Sequence, residues 1–377
     1  MSEIMETKKY FLQIVSDVLN GRQVDKSIDI DYGKVLNLAK KNAVKAIVFS
    51  ALSPLSVLDE KQTEKLSKSY KFEIFRNSQQ EAEIELLRKE FSENKIDFMF
   101  LKGTHLKGLY PSPELRYMVD IDVLVKKECI DRAKEILESH GFNQTHNNGK
   151  DIIFMKPPCL TIELHHSVFD ENFMLFDYYK DVWSRAEKVS NFEYKMPIND
   201  LYVYVLAHLC EHYLVAGSCF RPCIDLYLLE KNCSLDFEYI NTQFNEMNIS
   251  KFADNIRKLY SCMFDFNEPT EEIAMMENYI VFGAPVKNAD MAAQNATSKN
   301  SHFRDSLKTI FPNLKGMKLR FPILEKFPFF LPICWIIRIV HFTFACDKSV
   351  KNKRKNVFYH SQKDDNIMGE IFKKSGL

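Results

Sequence analysis

Apolar residues recur along the chain with two different spacings, and the change between them divides it into regions. Residues 1–95 have helical spacing, and 59–94 predicts one long polar helix with an apolar stripe. Short runs with a period of two follow and predict strands alternating with helices. From residue 197 onward the helical spacing returns. These patterns predict an α+β fold, in which a mixed sheet with helices is flanked by N- and C-terminal helical regions.

The chain has 377 residues, which is long for a single hydrophobic core and predicts several domains. The changes in pattern give these boundaries: an N-terminal helical region at 1–95, an α/β domain at 96–196, a helical domain at 197–300, and a C-terminal aromatic and basic helical tail at 301–377.

The stretch from residue 98 to 126 has the densest pattern of apolar residues and turn signals. It predicts a buried strand at 98–101, a turn containing glycine, a short helix, a loop with two prolines and a second strand at 119–125. On the second strand, Asp120 and Asp122 share one face. Two like charges so close disfavour ionisation unless a cation lies between them. Oxygen ligands favour Mg²⁺ or Mn²⁺ as that cation.

Gly103 and Thr104, followed by a helix and the Asp120-x-Asp122 strand, resemble the G-[ST] and D-x-D pattern of the polymerase-β-type nucleotidyltransferase superfamily. The strings LKG, LYPSPELR and DIDVLV are similar to one branch, the bacterial uncharacterised nucleotidyltransferases often found among polysaccharide-synthesis genes. The resemblance covers about a fifth of the chain. It implies a nucleotidyltransferase-like sheet and a third acidic residue on a later strand.

The segment 159–166, CLTIELHH, supplies that third acidic residue. Its period of two places Glu163 and His165 on one face. The branch usually carries Asp-x-His-Trp here, so Glu163 and His166 depart from its pattern, as does Val119, where relatives often have Ser or Thr. These departures leave open a second possibility, an inactive protein that binds an NTP.

The resemblance implies that the chain transfers a nucleoside monophosphate from an NTP, with ATP among the candidates, to a hydroxyl or phosphate acceptor. Asp120, Asp122 and Glu163 would hold two Mg²⁺ or Mn²⁺ ions in a two-metal mechanism. The gene context of the branch favours a small or saccharide-related acceptor. Toxin-like relatives that modify tRNA or protein give the alternative.

The predicted nucleotide-binding residues are Lys102, Gly103, Thr104, Arg116 and His165. Gly103 lets the backbone approach a phosphate, at the start of a helix whose amides point toward it. Arg116 is the preferred phosphate-tail cation because its guanidinium can grip two oxygens.

The region after residue 197 contains His208-Leu-Cys-Glu-His212, with both histidines on one helical face. The string matches the H-x-x-E-H signature of a zinc peptidase, so a zinc hydrolase built on His208, Glu211 and His212 is a rival hypothesis. In the resembling branch this region closes over the nucleotidyl site. By this resemblance, four residues of the region are candidate contacts to the base or acceptor: His208, His212, Arg221 and Asp225. Arg221 and Asp225 lie one helical turn apart, so the alternative for them is an ion pair with each other.

Composition bears on partners and location. The formal net charge is zero, which argues against broad electrostatic binding to nucleic acid. Nine scattered cysteines and a charged start without a signal-peptide core predict a cytoplasmic protein with reduced thiols. The apolar stretch 329–346 contains Arg338 and His341 and is followed by a basic run, so it has two interpretations. The preferred one is a helix packed on the N-terminal helices, and the other is peripheral contact with the inner face of a membrane.

Overall fold

The N-terminal region is helical, as its periodicity predicts. The computed structural model describes residues 3–27, 29–147, 151–214, 219–282, 331 and 372–377. The helices of this region are α1 (Glu3–Leu19), α2 (Tyr32–Lys41), α3 (Lys45–Leu52) and α4 (Glu60–Glu93). The long helix α4 starts at a capping box. The backbone N–H of Gln62 donates to Asp59 Oδ1 over 2.7 Å, and the backbone N–H of Asp59 donates to Gln62 Oε1 over 3.1 Å. The single long helix predicted over 59–94 is therefore confirmed.

A mixed sheet follows, as predicted. Its strands are β1 (Phe98–Phe100), β2 (Ile121–Val125), β3 (Asn143–Asn147), β4 (Asp151–Lys156), β5 (Leu160–His165), β6 (Glu187–Lys188) and β7 (Glu193–Lys195). The helices between them are α5 (Gly103–Leu106), α6 (Ile130–Ser139), α7 (Phe176–Tyr179) and α8 (Val182–Arg185). Within the described residues the strand order is β3-β4-β5-β2-β1-β7-β6. The pairs β2–β5 and β1–β7 are parallel, and the other pairs are antiparallel.

The two faces of the sheet have different chemistry because successive strand residues point to opposite sides. One face is apolar and packs on α4 and α6. Its core contains Ile121, Val123, Phe154, Ile162 and Leu164 from the strands, with Leu87, Phe91 and Leu137 from the helices, all fully buried. The alternate residues on β2 and β5 point to the other face. That face carries the acidic residues.

The remaining described helices are α9 (Ile198–Leu214), α10 (Phe220–Asn232), α11 (Phe237–Glu246), α12 (Ser250–Phe264) and α13 (Glu271–Phe282). Residues 372–377 pack on them: the rings of Tyr213 and Phe372 lie 5.8 Å apart, and Asn255 Nδ2 donates to the Ser375 carbonyl over 3.2 Å. All described residues except 331 belong to one compact unit. The division into domains at 95 and 196 stays a prediction.

Most of the predicted tail at 301–377, including the apolar stretch 329–346 apart from residue 331, lies outside the described residues. Its two interpretations therefore stay predictions. Among the helices that the structure describes, none combines the length and the apolar character needed to cross a bilayer.

Candidate active site

The parallel pairing of β2 and β5 places Asp122 directly beside Glu163. His165, two residues further along β5, points to the same face. The candidate ligand atoms of Asp122, Glu163 and His165 all lie within 4.8 Å of one another. Asp120 immediately precedes β2, and its carboxyl group is within hydrogen-bonding reach of Glu163. The structure thus brings together the three carboxyl groups that the sequence analysis selected.

The carboxyl groups of this cluster differ in pKa. Burial and the nearby charges of Asp120 and Asp122 raise the pKa of Glu163 to about 8. Burial and Asp122 also raise the pKa of Asp120. Burial opposes the charge of Asp122 as well, but Lys102 and a hydrogen bond from His165 hold the pKa of this carboxyl well below its usual range. The cluster therefore favours a further cation, and its three carboxyl groups fit Mg²⁺ or Mn²⁺.

Lys102 supplies the positive charge nearest to Asp122, with 3.5 Å between Nζ and Oδ1. Burial disfavours the charged form of Lys102, but the negative charges around it, of which Asp122 contributes most, together outweigh burial and raise the pKa of the ammonium group. The backbone of Lys102 has φ 37° and ψ −100°, a strained conformation for a residue with a side chain. Strain of this kind is concentrated at functional sites, where the surrounding structure holds it in place.

Gly103 begins α5, and the structure gives a steric reason for a glycine there. A Cβ atom on Gly103 would lie 2.3 Å from Met118 Sδ and 2.8 Å from Arg116 Nη1. The sequence analysis explained Gly103 by close approach of a phosphate, which stays a prediction. Two buried atoms on the predicted nucleotide-binding residues, Thr104 Oγ1 and His165 Nδ1, have no hydrogen-bond partner among the described residues. Buried polar atoms of this kind are rare and mark positions where a ligand can bind.

Arg116 lies in the loop before β2 and pairs with Asp225 of α10. Its Nε is 2.8 Å from Asp225 Oδ1, and its Nη2 is 2.7 Å from Oδ2. The Tyr110 hydroxyl donates to the same Oδ1 over 2.8 Å. The alternative given for Arg221 and Asp225, an ion pair between them, is not the pairing in the structure, because Asp225 pairs with Arg116. Arg221 Nη1 donates to the Tyr117 carbonyl over 2.6 Å.

Helix α9 presents a row of rings at intervals of four residues. The row starts at Tyr204, whose ring centroid lies 5.8 Å from Lys102 Nζ, and continues through His208 and His212. The rings of Tyr204 and His208 are 6.2 Å apart, and the Nε2 atoms of the two histidines are 3.2 Å apart. The row thus lies along one side of α9 and has its Tyr204 end beside Lys102.

The zinc-hydrolase hypothesis needs three ligands close together. Within the described ranges, one group of three His, Cys, Asp or Glu side chains satisfies this, namely Asp122, Glu163 and His165. His208, Glu211 and His212 do not form a second such group there. The geometry therefore favours the acidic cluster as the metal site.

Two residues near this site, Tyr204 and Tyr110, were not predicted from the sequence. Tyr204 was detectable in principle, since it lies four residues before His208 and shares its helical face. Tyr110 had no comparable signal, because its contact with Asp225 joins residues 115 positions apart.

A family model described as uncharacterised nucleotidyltransferase matches residues 29–265, which is more than half of the chain. The chain belongs to this family of uncharacterised nucleotidyltransferases. Searches of curated proteins and of solved structures give no match. The matched range contains the whole sheet, α9 and α10. The family supports nucleotidyl transfer as the general activity, with an NTP as substrate.

Proposed function

We propose that this protein transfers a nucleoside monophosphate from an NTP to a hydroxyl or phosphate oxygen of a small or saccharide-related acceptor. Asp120, Asp122 and Glu163 are the proposed ligands of Mg²⁺ or Mn²⁺ in a two-metal arrangement. The single observation that carries the proposal is the pairing of Asp122 with Glu163 on adjacent parallel strands. Membership of the nucleotidyltransferase family supports the type of reaction.

The chemistry is an attack by the acceptor oxygen on the α-phosphorus, which breaks the bond to pyrophosphate. Bound divalent cations would neutralise phosphoryl oxygens and lower the pKa of the acceptor hydroxyl. Lys102, next to Asp122, adds positive charge where the phosphoryl group gains negative charge. Glu163, beside Asp122 in the same cluster, is also the proposed acceptor of the proton that the acceptor hydroxyl loses.

The row of Tyr204, His208 and His212 on α9 supports a compact acceptor or a base at this side of the site. Aromatic and imidazole rings give a small molecule both an apolar face and hydrogen-bonding groups. The zero formal net charge does not favour a large polyanionic acceptor.

Transfer of label from radioactive NTPs tests the proposal. The protein is incubated with Mg²⁺, an extract of its source cells and each of the four α-³²P-labelled NTPs in turn. We expect label in the small-molecule or saccharide fraction, and none with the Asp122→Asn variant. Label in tRNA or protein would instead support the toxin-like alternative. NTP binding that is independent of Mg²⁺ and unchanged in Asp122→Asn, without any transfer, would support an inactive binding protein.

A further inference from the structure

A triphosphate carries several negative charges, and its binding site usually supplies more than one cation. Lys102 is one cation at the acidic cluster. Arg116 was the sequence-based choice for the second, but both oxygens of Asp225 already accept from its guanidinium, and the pair is almost completely buried. This leaves open which side chain helps Lys102 to bind the triphosphate.

Arg221 lies at the start of α10, close to the acidic cluster. Its Nη1 donates to the carbonyl of Tyr117, three residues before Asp120 on the segment leading into β2. The guanidinium is also near enough to Asp120 for its positive charge to act on that carboxyl group.

The guanidinium of Arg221 also has a donor, Nε, that could form a further hydrogen bond. Its Nε is buried and has no hydrogen-bond partner among the described residues. A buried donor without a partner is costly, and native proteins keep few of them. The nearest acidic residue on its own helix face, Asp225, is held by Arg116 and Tyr110 and does not neutralise Arg221.

We propose that Arg221 binds the triphosphate of the NTP at the acidic cluster, while Arg116 holds α10 in position through Asp225. This inference rests on the proposed function, because it assumes that an NTP binds there. It gives the two arginines different roles. Loss of Arg221 weakens binding of polyphosphate, whereas loss of Arg116 destabilises the fold.

Binding of magnesium tripolyphosphate, the part common to all NTPs, tests this inference without knowledge of the base. Calorimetric titration compares the wild type with Arg221→Gln, Arg221→Lys and the surface control Arg132→Gln. We expect affinity to fall about 10- to 100-fold in Arg221→Gln, as for loss of hydrogen bonds to a charged group, and by less in Arg221→Lys. Arg132→Gln binds as the wild type does. Mn²⁺ alone, followed by electron paramagnetic resonance, binds to Arg221→Gln at least as tightly as to the wild type, because the variant keeps all three carboxyl groups and loses a nearby positive charge.

Two results would overturn the inference about Arg221. One is tripolyphosphate affinity in Arg221→Gln equal to that of the wild type. The other is a weaker tripolyphosphate affinity in Arg221→Gln together with a thermal midpoint that falls as far as that of Arg116→Gln. That result would make Arg221 a structural residue. Failure of the wild type itself to bind magnesium tripolyphosphate would refute the proposed function, and this inference with it.

Discussion

Arg116 and Asp225 form a buried, bidentate ion pair between the loop before β2 and helix α10, although 109 residues separate them in the chain. The pair connects the loop before β2 to the helical region at 197–300, for which the sequence pattern predicts a separate domain. Because Arg221 lies one turn before Asp225 on α10, this ion pair also sets the position of Arg221 relative to the acidic cluster.

Removal of one partner of this ion pair should destabilise the protein strongly. Asp225→Leu leaves the Arg116 guanidinium buried without its carboxylate, and we expect the free energy of unfolding to fall by about 3–5 kcal/mol. The double variant Arg116→Met/Asp225→Leu should lose less than either single variant, because no buried charge remains. Urea denaturation followed by circular dichroism measures all three. The exposed residue Asp131, whose side chain is 90% accessible, gives the control Asp131→Asn, with a change within about 0.5 kcal/mol. Additive losses in the double variant would contradict the expectation.

Gly103→Ala should be destabilising for a steric reason. Its Cβ would meet Met118 Sδ at 2.3 Å and the guanidinium of Arg116 at 2.8 Å. Because Arg116 is fixed by Asp225, we expect a loss of about 1–3 kcal/mol in the free energy of unfolding, measured by urea denaturation. Gly108→Ala is the matched control, since its Cβ would meet no atom within 4 Å. Equal effects at the two glycines would show that the contact with Met118 relaxes at no cost.

Asp122→Asn should abolish most of the catalysis while leaving the fold intact. The asparagine keeps the shape of the side chain but removes a carboxylate that Lys102 and His165 hold in its charged form. We expect transfer to fall at least about 10²–10³-fold and Mn²⁺ affinity to fall with it. Initial rates with labelled NTP and paramagnetic resonance of Mn²⁺ measure the two effects. Asp131→Asn controls for the loss of a carboxylate elsewhere and should retain full activity.

Glu163 should make stability depend on pH when a chelator removes divalent cations. Folding raises the pKa of Glu163 to about 8, whereas the unfolded chain releases this proton near pH 4.5. Between these values the folded state binds more protons, so its stability falls as the pH rises from about 4.5 to 8. Thermal midpoints across this range should fall less steeply in Glu163→Gln than in the wild type. Parallel curves for the two proteins would show that the Glu163 carboxyl titrates normally.

The same proton should compete with a divalent cation. As the pH rises from 7 to 9, Glu163 loses its proton and becomes a better ligand, so the affinity for Mn²⁺ should increase. In Glu163→Gln the affinity should be lower and should vary less over this range. An affinity that is independent of pH in the wild type would argue against Glu163 as a ligand.

Local patterns in the sequence predict much of the fold. The period of two over residues 119–125 places Asp120 and Asp122 on one face, and the apolar stripe over 59–94 predicts α4. Strands β6 and β7 were missed because they have two and three residues and no buried alternation. Helical spacing suggested that Asp225 pairs with Arg221. Asp225 pairs with Arg116 instead, because the Arg116 guanidinium donates two buried hydrogen bonds to it. Local spacing cannot predict this contact between residues far apart in the chain.

The site itself was predictable only in part. Periodicity could select Glu163, but its position beside Asp122 depends on parallel pairing of strands 41 residues apart, for which the family resemblance was the only guide. The steric reason for Gly103 depends on Met118 and Arg116, whose packing is a property of the folded chain.

The parallel register of β2 and β5 also determines when the cation site can form during folding. A fragment that ends before residue 160 contains both aspartates but lacks Glu163, one of the three proposed ligands, so strong chelation would appear only after this long-range contact has formed. A cation bound by the proposed ligands would act as a reversible cross-link between the two strands. By thermodynamic linkage, its occupancy adds to the free energy of unfolding with the logarithm of its concentration.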